Sequence, residues 1–297
     1  MIKKFILNLN RWRDYLELTK PRINFLVLVT TGVGFLLGSH PPFIFQRFIH
    51  TLLGTALTVA GSGVLNQWLE RDLDAKMKRT AQRPLPAGRL HPRQALIFGI
   101  ILSGIGLFYL AFMINFLTSF LGFIAGSTYL FMYTPLKTRT SLNTIVGAIP
   151  GAIPPMMGWS AATSQVNFEA WVLFSILFFW QLPHFLSLAS LYKDDYAEAG
   201  FQMLPSLDLN GGMTIRQIIL YTSALMAVSL LPTLKGMTGS VYFFGALFLG
   251  LGFLGMGLRC AFLFSKKDKI REAYKGLFHA SIIYLPVMLI LMVVDKI

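Results

Sequence analysis

Nine runs of apolar residues, each long enough to cross a bilayer, dominate this chain and constrain what it can become. They lie at about 23–39, 49–68, 93–112, 116–133, 141–160, 168–191, 216–234, 241–264 and 275–294, against the roughly 17–25 residues that a membrane helix needs. Lipid offers no hydrogen-bonding partner to the backbone, so such runs must satisfy their own polar groups and fold as helices. The expected fold class is an all-α membrane protein of about nine transmembrane helices, one polytopic domain over residues 1–297. Pro150, Pro154 and Pro155 interrupt the run at 141–160, which is tolerated where neighbouring helices satisfy the freed carbonyls. The small residues of its GAIPGAIPPMMGW tract favour close helix approach.

Composition agrees, with 55% hydrophobic and only 13% charged residues, where a soluble domain carries about 25% charged. The net charge of +13 would suggest nucleic acid in a soluble protein, but here its distribution is topological. Of the 26 Lys and Arg residues, 23 fall in the N-terminus and in the connections after spans two, four, six and eight. Only Arg47, Lys235 and Lys296 fall on the other side. The positive-inside rule therefore places the N-terminus and those connections in the cytoplasm, and no nucleic-acid partner is expected. Residues 1–22 read as a cytoplasmic amphipathic segment lying in the interface rather than a removed signal peptide, since no unbroken apolar core precedes a cleavage site. The lone Cys260 excludes an intramolecular disulfide and a cysteine metal cluster within this chain.

The acids are distributed even more unevenly. Glu70, Asp72 and Asp74 stand at the end of span two, and Asp194, Asp195 and Glu198 at the end of span six, on the same face of the membrane. At about 100° per residue, Asn66, Glu70 and Asp74 share one helix face, whereas Asp72, about 200° from Glu70, lies off it. Asp72 is free to pair with Arg71, Lys76 or a basic residue of another loop. Each acidic stretch runs into a Leu-Pro pair and then an Arg-Gln pair, a weak internal repeat that would set the two acidic ends facing each other.

Such a pair of ends suits a diphosphate bridged by Mg²⁺, which usually takes one or two carboxylates and draws its other ligands from substrate oxygens and water. Arg79, Arg83, Lys137 and Arg139 could neutralise the outer phosphate oxygens. An isoprenoid tail would lie between spans. Trp68, Tyr129, Tyr133, Trp180, Phe185 and Tyr192 offer aromatic faces to an allylic cation, or serve as interfacial belt residues. His184, in WQLPHF, is open to several readings: a hydrogen bond to a neighbouring helix, a solvated cavity position, or a catalytic or substrate contact.

The pattern Asn66-x3-Glu70-x-Asp72-x-Asp74-x2-Met77-x-Arg79-Thr80-x2-Arg83-Pro84 resembles the first aspartate-rich motif of the UbiA intramembrane prenyltransferases, in their protohaem IX farnesyltransferase (haem O synthase) family. LTKPRI at 18–23, YTPLKTRTSLNTIVGAIPGAIPPMMGW at 133–159, WQLPHF at 180–185 and KDDYAEAGFQMLP at 193–205 are similar to that family as well. Five segments in order make the resemblance specific.

The resemblance implies a ring-like bundle with a central cavity open to the cytoplasmic side. It implies Mg²⁺ held by Asn66, Glu70, Asp74 and Asp195, with Asp72 and Asp194 completing the acidic catalytic set. Diphosphate would meet Arg79, Arg83, Lys137, Arg139 and Lys193, and substrate would meet Lys20, Arg22, Tyr133 and His184. The implied donor is farnesyl diphosphate. Haem B is the implied acceptor, a substrate rather than a cofactor, and water completes the substituent that makes haem O. A bacterial inner membrane is the implied location, with haem A synthase or a terminal oxidase as assembly partners. Two positions depart from the wider superfamily. Glu70 stands where many relatives have Asp, and Leu191 where a second Asp is often found.

Two other readings compete. A quinone precursor such as a hydroxybenzoate would use the same diphosphate site. A transporter or lipid-binding protein would instead place acids deep within its spans, whereas here they crowd one surface.

Overall fold

The long helices begin and end where the sequence changes character. The computed structural model describes residues 11–208 and 210–297, with backbone only at Lys267 and Asp268. The first ten residues of the expected amphipathic segment lie outside the described residues. The remainder of that segment forms α1 (Trp12–Leu18), followed by α2 (Pro21–Gly38) and α3 (Phe45–Asp74). Next come α4 (Pro92–Met113) and α5 (Phe116–Ser127), which continues through a π-helical turn, Thr128–Tyr133. The second half contains α6 (Asn143–Thr163), α7 (Phe168–Leu191) and the short α8 (Lys193–Glu198). The chain ends in α9 (Gly212–Ser229), α10 (Ser240–Phe262) and α11 (Lys267–Val294). Among the described residues there is no strand, only an isolated bridge between Thr238 and Lys296.

Eight of these helices, short C-terminal extensions included, are long and apolar enough to cross a membrane. The expected fifth span, α6, is not among them, although it is 21 residues long and runs between the same two ends as the others. Asn143 at its start donates to the Gln202 carbonyl. Ser164 just past its end accepts from Arg47 at the opposite pole.

Contacts sort the connections to two poles as the charge count did. At one pole Arg89 bridges Asp14 and Glu17, and the Gln202 backbone N–H donates to the Lys137 carbonyl. At the other, Asn115 donates to the Ser160 carbonyl. There Lys296 also donates to the carbonyls of Leu36 and Ser39, tying the last helix to the first span.

One tight joint of the bundle is the crossing of α2 and α6. A Cβ on Gly34 would collide with the Pro155 carbonyl, and one on Gly158 with the Thr31 carbonyl. The small-residue tract thus does what its composition suggested. It brings two backbones into contact.

Candidate active site

At 30 residues, α3 is about 45 Å long at 1.5 Å per residue, some 15 Å more than the hydrocarbon core. Good helix formers and no Gly or Pro after Val64 carry it past the apolar run, so its last three turns project Asn66, Glu70 and Asp74 into the loop layer. All three are buried, at 1%, 4% and 1% exposure. Buried carboxylates persist only when paired, and each of these oxygens meets a cation from elsewhere in the chain. Lys20 Nζ donates to Asn66 Oδ1 at 2.7 Å. Lys137 Nζ lies 2.6 Å from Glu70 Oε1, and Arg83 Nη1 2.7 Å from Asp74 Oδ2.

Backbone geometry positions the partners. Lys20 adopts the left-handed region, φ 51°, which is uncommon for a residue with a side chain. The following Pro21 disfavours the ordinary helical alternative. From there its ammonium also reaches Tyr129 Oη, 3.3 Å away. The π-helical turn inserts extra backbone into α5, a device frequent at functional sites. It stacks Tyr129 on Tyr133 at 5.7 Å between ring centroids and sets Lys137 over the Tyr133 ring at 4.5 Å.

Burial pushes Lys20 down to about 7, with Glu70 drawing it up and Arg83 and Lys137 repelling it. Burial also opposes the charge on Lys137, but the oxygens of Tyr133 and Glu70 outweigh it and hold that ammonium above its ordinary range. The two lysines therefore differ. Lys137 is a permanent cation, and Lys20 gains or loses its proton near neutrality.

The second acidic end reaches the first through its packing. Met77, from the loop after α3, is buried with Ala199, Phe201 and Met203, with Leu73 and Tyr196 against them. The Arg79 guanidinium lies 6.0 Å from the Tyr192 ring centroid. Asp194 is exposed and Asp195 half-buried, and among the described residues neither forms an ion pair. Lys193 is half-buried, and its carbonyl accepts from Ser206.

Other sequence candidates are placed differently. The Asp72 side chain is 82% exposed and 3.4 Å from Arg71, off the buried face as its helical phase indicated. Arg22, Arg79 and Arg139 are exposed. His184 bonds Ser281 Oγ at 2.7 Å and stacks between Trp180 and Phe278, so the hydrogen bond to a neighbouring helix is formed. Trp180 donates to the Ser281 carbonyl, and Arg71 covers Trp68. Of the six aromatic candidates, Tyr129 and Tyr133 are the pair beside the acids.

Thr134 escaped the sequence reading. Its hydroxyl accepts from Asn66 Nδ2 at 2.9 Å and donates to the Tyr129 carbonyl, which fixes the amide with its oxygen toward Lys20. Its only signal was its place in the YTPLK segment.

The donor set suits a hard cation. Two carboxylates and an amide oxygen on one helix face already stabilise positive charge at three points. Among the described residues, no three His, Cys, Asp or Glu side chains gather into a metal cage, and Mg²⁺ needs only one or two carboxylates when a substrate supplies phosphate oxygens.

The model of the UbiA prenyltransferase family matches residues 27–282. A protoheme IX farnesyltransferase of Solibacter usitatus (strain Ellin6076) is 47% identical over 293 residues, covering 96% of this chain and 99% of its own. One from Aquifex aeolicus (strain VF5) is 42% identical over 288 residues, covering 96% of each. Among solved structures, one of digeranylgeranylglyceryl phosphate synthase superposes with a TM-score of 0.81 at 16% identity, over 96% of this chain and 98% of that one. A UbiA homologue from Archaeoglobus fulgidus bound to DMAPP and Mg²⁺ does so at 0.68 and 16%, over 93% and 99%. The first two likenesses are of sequence along nearly the whole chain, and the last two are of fold. The chain belongs to the UbiA prenyltransferase family, in the protohaem IX farnesyltransferase branch.

Proposed function

We propose that this protein transfers the farnesyl group of farnesyl diphosphate to a vinyl group of haem B, with addition of water, to give haem O. The observation that carries the reading is the buried acid–base cluster on α3, set in a chain 47% identical to a protoheme IX farnesyltransferase along nearly its full length. The whole chain acts as one polytopic unit in the inner membrane, with the cluster on the cytoplasmic side and a central cavity opening there.

Asn66, Glu70 and Asp74, with Asp195 from the facing end, would hold Mg²⁺. When bound, the ion supplies charge neutralisation to the diphosphate and makes it a better leaving group. Lys137 and Arg83 start beside the carboxylates they now neutralise, and Lys20 beside the Asn66 amide oxygen, so a bound diphosphate finds three basic side chains within reach. Arg79, Arg139 and Lys193 add charge at the rim. The farnesyl C1–O bond breaks with its electron pair leaving on diphosphate, and the vinyl group attacks C1 to form the new carbon–carbon bond. Water then takes up the porphyrin-side cation and loses a proton. The stacked Tyr129 and Tyr133 rings offer faces that stabilise positive charge without reacting.

A direct competition tests the acceptor. Membranes containing the protein are given farnesyl diphosphate with haem B and a hydroxybenzoate together. Prenyl incorporation into the haem alone is expected, and incorporation into the hydroxybenzoate alone would transfer the assignment to quinone-precursor prenylation.

A further inference from the structure

Away from the acid–base cluster, an open groove of about 640 Å³ runs along the junction of α10 and α11, lined by Gly255, Leu258, Arg259, Phe262, Leu263 and Lys269. Its position in the bilayer follows from its neighbours. Arg259 lies in the last turn of α10, and Phe264 of the following loop packs where a Cβ on Gly211 would lie, beside the start of α9. The groove therefore opens at the level of the loop layer that also contains the acids, on the outer surface of the bundle.

Its chemistry is divided along its length. Leu258, Phe262 and Leu263 make an apolar wall, with Arg259 and Lys269 at the headgroup end. Arg259 and Lys269 are exposed, and among the described residues neither has an ion pair or a side-chain hydrogen bond. Two exposed cations at one end of an apolar trough match a ligand with a negative head and a hydrocarbon tail. Basic pockets between transmembrane helices on the cytoplasmic side are suited to anionic headgroups.

We propose that this groove is a binding site for one anionic phospholipid, its phosphate held by Arg259 and Lys269 and an acyl chain lying against Leu258 and Phe262 over Gly255. Gly255 makes the trough. A Cβ there meets nothing within 4 Å, so a larger side chain fills the groove without disturbing the helix.

The full-length protein is released from nanodiscs of mixed phosphatidylglycerol and phosphatidylcholine, and retained lipids are counted by native mass spectrometry. Wild type should keep one more phosphatidylglycerol than Arg259→Gln/Lys269→Gln, with affinity falling about fivefold for each cation removed. Gly255→Phe, with both charges intact, should lose the same molecule. Unchanged phosphatidylglycerol retention in the double variant would overturn the site. Retention unchanged in Gly255→Phe, with inorganic phosphate displacing the lipid, would show a free-phosphate site and overturn the lipid assignment.

Discussion

Lys137 Nζ lies 2.6 Å from Glu70 Oε1 across 67 residues of chain, and both side chains are withdrawn from solvent. A buried pair of this kind adds little net stability, but losing one member leaves an uncompensated charge that costs about 3–5 kcal/mol. The pair therefore separates two effects that a single substitution would mix.

Glu70→Ala and Asp74→Ala should still insert into the membrane and should lower haem O formation by at least about 10²-fold, because each removes charge positioning at the diphosphate. Glu70→Gln/Lys137→Met should recover thermal stability relative to Glu70→Gln alone and remain inactive. Product analysis and melting of the detergent-purified protein check both outcomes.

Asp72→Asn should retain activity within about twofold of wild type. Its carboxylate is 82% exposed and, among the described residues, paired only with Arg71, and surface pairs contribute about 0–1 kcal/mol. Loss of turnover comparable to that of Asp74→Ala would move Asp72 into the site.

The contrast between Asp72 and Asp74 was legible in the sequence, because helical phase alone separates them. So were the apolar runs and the grouping of connections at two poles. The identities of the cationic partners were not. Lys20 and Asn66 are 46 residues apart, and no local periodicity records which base of several meets which oxygen. Nor does any pattern announce the π-helical turn at Thr128–Tyr133, which aims Tyr133 and Thr134. The last helix begins at Lys267, eight residues before its apolar run, since Lys and Arg continue a helix in the interface where lipid hydropathy no longer reports it.

Lys20 sets a pH dependence. Its folded value of about 7 lies below the ordinary 10.5, so between those values the unfolded chain holds a proton that the folded chain lacks. Stability should therefore rise with pH from about 7 to about 10.5 and stay level below that window. Melting temperatures of the purified protein across pH 6–10 should follow this course, and Lys20→Met should flatten it.

The crossing of α2 and α6 should be intolerant of bulk. Gly34→Leu and Gly158→Leu force a side chain into the carbonyls of Pro155 and Thr31, beyond the roughly 1–3 kcal/mol of ordinary overpacking. Both variants should give little folded protein in size-exclusion profiles. Gly104→Ala, where a Cβ meets nothing within 4 Å, should match wild type.

The most direct measurement is mass spectrometry of the haem extracted after purified protein is incubated with haem B, farnesyl diphosphate and Mg²⁺. The expected product is heavier than haem B by one farnesyl group plus one hydroxyl group, since the added water gives up a proton, and it is formed by wild type and not by Glu70→Ala. Haem B recovered unchanged from folded wild-type protein, or the same product from the Glu70→Ala variant, would contradict the proposed function.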